Sequence, residues 1–241
     1  MAFSPDGQRI ATGSEDGTAK VWEAARAEQV VVWQEEERAA AQSLAARQRQ
    51  QMAEEERQRV ARDRDSIKKW LILAPIPLAT GQSGATGLDC EQIEGEGRLW
   101  PKAGEARHLG GRELKWQEAA LDDYLIDFNA VLGQVTTQSV AYAVCYLRSE
   151  AEQHGLQMLV GSDDEAKVYL NGKQVYKVPT ARRFVAEQDR VPGIVLNAGL
   201  NVLVFKVVNE TLDWKGSIRF TDAQGNPVKG LNVTLDPESK D

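Results

Sequence analysis

Polar and apolar residues alternate through Lys167-Val168-Tyr169-Leu170-Asn171, whereas from Val202 to Val208 (VLVFKVV) apolar residues fill both parities. Successive side chains of a strand point to opposite faces. The first stretch therefore predicts a strand with one buried face, and the second a strand apolar on both faces, central in a sheet. Between residues 156 and 176, Asn171-Gly172 supplies two positions that tolerate positive φ, as a two-residue type I′ turn demands, and Lys173-Gln174-Val175-Tyr176 follows as the return strand. Further strands are predicted at 140–148, 191–196, 216–221 and 231–235, with shorter ones at 113–117 and 125–128. WLILAPIP, residues 70–77, reads as a buried strand that Pro75 and Pro77 confine to an edge or end. Residues 80–87 read as a Gly/Thr-rich loop, and 91–108 as irregular chain with Leu99 and Trp100 anchored in the core. Many short strands with turn signals at close spacing, and no helix-length periodic segment, predict a mainly β fold over 70–241: an antiparallel β-sandwich, with jelly-roll topology preferred.

The first third is patterned differently. FSPDGQRIATGSEDGTAKVW (residues 3–22) predicts a strand, a turn at Pro5-Asp6-Gly7, a strand at 9–13, a turn at Glu15-Asp16-Gly17 and a strand at 18–23. A fourth strand at 28–33 would complete a meander, with Ile10, Val21, Val30 and Val32 on its apolar face. Residues 35–69 contain no Gly or Pro and are mostly strong helix formers, which predicts one long helix of roughly 50 Å at 1.5 Å per residue. Its larger apolar residues, Leu44, Met52, Val60 and Ile67, recur every seven or eight positions, sparser than the two per heptad of a coiled-coil seam. The helix is expected to be a solvated spacer or a self-associating coiled coil, its surface maintained by pairs such as Glu54 with Gln58. The expected domains are a blade at 1–34, a helical linker at 35–69 and the sandwich at 70–241.

Composition narrows the function. A net charge of −7 and a pI near 5.1 argue against nucleic acid or an anionic membrane as main partner, because both reward a basic face. Cys90 and Cys145 stand far apart without metal-ligand spacing, so a zinc site is not expected and a disulfide stays open; Cys145 reads as a small core residue of VAYAVCYL. No apolar run reaches the roughly 20 residues of a membrane helix, and no export signal is visible, so a cytoplasmic location is expected.

Residues 3–22, with FSPDG, the Asp16-Gly17 turn and Trp22-Glu23 in order, closely resemble a repeat of the WD-repeat β-propeller family; Glu23 departs from the usual Trp-Asp dipeptide. A propeller needs several blades, each burying its apolar face against its neighbours. The resemblance therefore implies a last blade of a longer propeller. SDDEAKVYLNGKQVY, LNAGLNVLVFKVVNE and DWKGSIRFTDAQGNPVKGL look like the galactose-binding-like jelly rolls that serve as accessory modules in glycoside hydrolases and bacterial surface proteins. The whole arrangement is similar to the C-termini of large bacterial WD-repeat proteins, some of them kinase-linked. Such folds host many roles, so the resemblance bears on fold more than on function.

Little in the sequence points to catalysis. His108 and His154 are the only histidines and sit in no HExxH or GxSxG setting, and no Gly-rich loop with Gly-Lys-Ser/Thr is present. A glycosidase would need two facing carboxylates, which 36 acidic residues do nothing to single out. The candidate ligand-binding residues are Asp163, Asp164, Asn171, Asp213 and Trp214. Asp163 and Asp164, helped by Glu165 or a carbonyl, can offer hard oxygens to Ca²⁺, as in some lectin-like relatives, or else bond backbone amides and shape a turn. Trp214 can stack on a sugar ring with Asp213 accepting hydroxyl hydrogen bonds, or pack as a rim residue. Trp100 and Trp116 face the same choice, and Arg182-Arg183 either receive an acidic partner or stay solvated. The expectation is a non-catalytic protein-interaction module without cofactor. The alternatives are a carbohydrate-binding module, calcium-assisted or not, and a hydrolase.

Overall fold

The computed structural model describes residues 1–239, with Arg64 described by its backbone alone. It divides into two compact units, Met1–Gln58 and the chain from Arg59 onward.

In the first unit, β1 (Ala2–Phe3), β2 (Arg9–Gly13) and β3 (Ala19–Glu23) form an antiparallel sheet in which Ile10 faces Trp22. Its turns close as the Asp-Gly pairs predict. Asp16 Oδ1 accepts from the N–H (2.9 Å) and hydroxyl (2.7 Å) of Thr18, and Gly17 takes a φ of 82° that a side chain would resist. The Trp22 indole donates to Thr12 Oγ1 at 3.0 Å, tying β3 to β2.

The expected fourth strand is not formed. Residues 28–33 lie in α1 (Ala27–Asp65), where Gln29 Oε1 accepts from the Arg26 N–H at 3.1 Å, half of a capping box. No Gly or Pro separates these residues from the helix formers that follow. Once nucleated, the helix gains a hydrogen bond per residue, which outweighs the β preference of Val30, Val31 and Val32. The helix also stops short of residue 69. Ile67 has left it: its N–H bonds to the Ile218 carbonyl at 3.1 Å and its side chain enters the sandwich core, so it belongs to no helical stripe. Gln58 donates to Glu54 at 3.1 Å, as the i, i+4 spacing requires.

The second unit is a mainly β, antiparallel sandwich. Its chain order is β4 (Lys69–Pro77), α2 (Gly84–Asp89), β5 (Ala106–Leu109), β6 (Arg112–Lys115), β7 (Gln117–Ala120), β8 (Ile126–Asp127), α3 (Phe128–Leu132), β9 (Ser139–Ser149) and β10 (Gln153–Asp163). There follow β11 (Ala166–Leu170), β12 (Lys173–Val178), β13 (Asp189–Leu196), β14 (Gly199–Asn209), β15 (Lys215–Thr221) and β16 (Leu231–Thr234). One sheet has the order β12-β11-β14-β9-β4-β7, with β16 also on β9; the other is β13-β10-β15-β8. The β11–β12 hairpin turns on Asn171 (φ 52°) and Gly172 (φ 83°), and β14 is central as its pattern requires, paired with β9 from Gly199↔Ser149 to Asn209↔Ser139.

Alternation in β14 feeds two cores. Leu203, Phe205 and Val207 join Val160, Met158 and Ile218 of the smaller sheet in the inner core, and Val204 and Val208 join the outer one. The outer core exists because residues 78–116 fold back over the larger sheet and bring Leu88, Ile93, Leu99 and Trp116 onto Leu71, Leu73, Tyr142, Val144 and Tyr146. Each apolar side chain fully buried in this way contributes roughly 1.5–3 kcal/mol.

Several sequence expectations need correction here. The strand 70–77 is second from the sheet edge, and the prolines fall at its end, as the alternative of an edge or end allowed: β7 pairs with it only over Lys69–Ile72, so Pro75 and Pro77 lie where no partner needs an N–H on that side. Residues 84–89 are helical, capped by Ser83, and residues 128–132 form α3, started by Asp127 Oδ1 accepting from the Ala130 N–H at 3.0 Å. Trp100 is not in the core: it is 51% exposed, with its ring against Tyr146 at 5.1 Å. Cys90 and Cys145 are both free thiols, the second buried, and burial pushes it up, well above the usual thiol value.

Candidate functional site

A cleft of about 580 Å³ opens at the end of the sandwich where β10 finishes. Three connections supply its walls: Arg182, Arg183 and Phe184 between β12 and β13, Thr211, Leu212 and Asp213 between β14 and β15, and Tyr124 and Leu125 before β8. Asp163 and Asp164, at and just beyond the end of β10, line it as well.

Both carboxylates are buried, and each spends one oxygen on a backbone amide from a distant connection. Asp163 Oδ2 accepts from the Phe184 N–H at 3.1 Å and Asp164 Oδ2 from the Glu210 N–H at 2.8 Å, while Ser162 Oγ donates to the Asp164 carbonyl at 3.0 Å. The pair thus pins two walls of the cleft. Burial raises both carboxyls above the ordinary range, with the amide bonds opposing it. Among the described residues neither forms an ion pair: Arg182 is held by Asp189 (2.5 Å), Tyr176 (2.8 Å) and Ser162 (2.9 Å), and Lys215 by Asp213 (3.2 Å). Two desolvated carboxylates outside any ion pair, with Arg183 and Lys215 lining the same cleft, leave it receptive to polar ligands.

The candidate residues are only partly brought together. Asp163, Asp164 and Asp213 line the cleft. Trp214 does not: it is 0% exposed, with its ring packed on Phe128 at 5.1 Å, so no face is free to stack on a sugar. The polar run around it, Glu210 to Lys215, disguises a side chain that the strand phase of β15 turns inward. Asn171 is also elsewhere. It sits at the far end of β11, where its Oδ1 accepts from the Val202 N–H (2.9 Å) and its Nδ2 donates to Asn201 (2.7 Å), tying the hairpin turn to β14. Trp116 is buried, whereas His108 and His154 are exposed, the latter 2.9 Å from Glu152. Of the arginine pair, Arg182 is a structural linchpin and Arg183 faces the cleft.

Sequence reasoning missed a second polar cluster under residues 78–116. Glu96 is fully buried and accepts from Tyr142 Oη (2.5 Å), Tyr169 Oη (2.7 Å), Lys206 Nζ (2.8 Å) and Lys167 Nζ (3.4 Å). Lys206 also donates to the carbonyls of Leu88 (2.9 Å) and Cys90 (2.6 Å). Burial alone would raise Glu96; the hydrogen bonds from Lys206, Tyr142 and Tyr169 overcome it and hold the carboxyl below its usual value. Burial likewise lowers Lys206 and raises Tyr142 and Tyr169. With both oxygens engaged by donors from the sheet, Glu96 fastens the covering segment to it. The one sequence signal was Lys206 itself, a lysine inside an otherwise apolar central strand.

These features define a β-sandwich with a polar cleft, preceded by a β-meander and a long helix. The model of the WD domain, G-beta repeat, matches residues 1–23. A solved family 35 carbohydrate binding module from an environmental isolate is similar at 20% identity over 42% of this chain and 76% of that one, with a TM-score of 0.30, a superposition too loose to argue from. No curated protein matches the chain. A WD repeat is a non-catalytic kind of domain. No helix among the described residues is long and apolar enough to cross a membrane.

Proposed function

We propose that this chain is a non-catalytic protein-interaction and assembly module of a bacterial WD-repeat regulatory protein, acting in the cytoplasm. One observation carries the reading: the WD-type sheet leaves its large apolar side chains in water, with Phe3 66%, Val21 66% and Trp22 54% exposed. Phe3 and Trp22 share one face with Ile10, and Val21 lies on the other; apolar surface exposed in this way is the mark of a sheet made to be covered by protein, whether by further blades or by a partner. The test is cross-linking of the full chain in lysate beside Val21→Asp and Trp22→Asp variants. Loss of cross-linked protein in both variants supports the reading, and unchanged capture overturns it.

A second reading is favoured by the cleft. Asp163 and Asp164, desolvated and in no ion pair among the described residues, suit a ligand rich in hydroxyl donors, and a carbohydrate is one such ligand, with calcium as an assisting ion. Among the described residues no group of three or more His, Cys, Asp or Glu is arranged to hold a metal ion, so calcium would need carbonyl or water oxygens beside the two aspartates. A glycan array on the full chain, with and without calcium and with Asp164→Asn, separates the readings. Retention abolished by Asp164→Asn supports the carbohydrate reading; a silent array removes it.

A further inference from the structure

The last turns of α1, from Arg59 to Asp65, belong to the second unit. They are fastened to β15 where the helix ends: Ser66 bridges to Arg219, and the Ile67 N–H reaches the Ile218 carbonyl at 3.1 Å. Ser66 Oγ turns back to donate to the Arg62 carbonyl at 2.6 Å. From this anchored turn the Arg62 side chain reaches two of the three connections that wall the cleft. Its Nε donates to Glu187 Oε1 at 3.3 Å, in the connection between β12 and β13, and its guanidinium lies over the Tyr124 ring, 5.5 Å from the centroid, in the connection before β8. The ion pair is sheltered, with the Arg62 and Glu187 side chains 24% and 17% exposed. Glu187 is also held from the other side, since the same Oε1 accepts from Arg219 Nη2 at 2.6 Å. Its backbone is left-handed, with a φ of 56° that a residue with a Cβ rarely adopts, and two guanidinium groups on one carboxylate oxygen offset that cost.

We infer that Arg62 is a positioning residue for the cleft, a clasp through which the last turn of α1 holds Tyr124 and the β12–β13 connection in fixed relation. The inference rests on the reading of the cleft as a ligand site and adds that its shape depends on a helix outside it. Arg182 pins the start of the β12–β13 connection to Asp189, Tyr176 and Ser162; Glu187 pins its end to α1 and β15. Between the two pins stand Arg183 and Phe184, which line the cleft. Connections of this kind open at lower free energy than the sheets that carry them, and walls fixed in advance spare a ligand the cost of ordering them. Fraying of the last turn of α1 therefore releases both walls together, while β9 and β14 stay held by the two cores.

Hydrogen–deuterium exchange of the full chain without ligand tests the clasp. Arg62→Met keeps much of the side chain's length and removes its charge. Opening constants of peptides covering 179–188 and 122–125 should each rise about threefold, with β9 and β14 unchanged. Ala61→Gly loosens the last turn while leaving every contact named above in place; it should raise the same constants about fivefold in the wild type and have no further effect in the Arg62→Met background. Glu187→Gln should loosen 179–188 and leave 122–125 as it is. Failure of either segment to respond to Arg62→Met, a rise shared equally by β9 and β14, or an Ala61→Gly effect undiminished in the Arg62→Met background overturns the inference. No ligand enters these measurements, so the clasp fails or stands independently of the glycan array.

Discussion

The sheet of the first unit and the larger sheet of the second are built from the same antiparallel hydrogen bonds, yet they differ in what covers them. The three-stranded sheet leaves Phe3, Val21 and Trp22 in water, whereas β9 and β14 are buried on both faces, by the smaller sheet on one side and by residues 78–116 on the other. Strand pairing alone therefore stabilises little here; what holds the second unit is the pair of cores on either side of one sheet. The first unit has hydrogen-bonded geometry in search of a face to bury.

Substitutions sharpen that contrast. Trp214→Ala empties a fully buried site against Phe128 and should cost about 3–5 kcal/mol in urea unfolding. Because the side chain is core and not cleft lining, the loss should appear without any ligand. Glu96→Ala strips Lys206 of its buried partner and should cost a similar or slightly smaller amount, about 3–5 kcal/mol by the behaviour of broken buried pairs. In the wild type the Glu96 contribution has a definite pH sign. Its carboxyl is held below the usual value, so the stabilisation is present above the ordinary carboxylate range and is lost as pH falls through the folded value; unfolding midpoints measured from pH 7 to pH 3 should show it, and Glu96→Ala should show less. At the small end, Val21→Ala in the exposed sheet should leave the unfolding midpoint within about 0.5 kcal/mol of wild type, because it removes no buried contact.

How much of this could be read from the residues follows the same contrast. Local signals survived: Asn171-Gly172 specified the hairpin, the two Asp-Gly turns specified the meander, and the unbroken apolar run of β14 specified a central strand. Where the outcome depended on distant partners, the pattern misled. Val30, Val31 and Val32 read as a strand but lie in α1, because no breaker parts them from the helix formers that follow. Trp214 read as a sugar-stacking or rim residue because its sequence neighbours are polar, while its inward direction follows the phase of the adjoining β15, paired with β10 and β8. Glu96 carries no local mark at all, since its loop has no period and its four donors come from β9, β11 and β14. Of the cleft, the two aspartates were legible as a short acidic motif; that they share a cavity with Arg183 and Asp213 is a product of three connections meeting at one end of the sandwich.

Native-state hydrogen exchange of the full chain, resolved to single amides, tests the central contrast most directly. Amides of β9 and β14 should exchange only through global unfolding, and those of β2 and β3 should exchange through local opening at far lower free energy. Equal protection of the two sheets in the isolated chain would contradict the account, because it would mean that the exposed sheet needs no partner to be held.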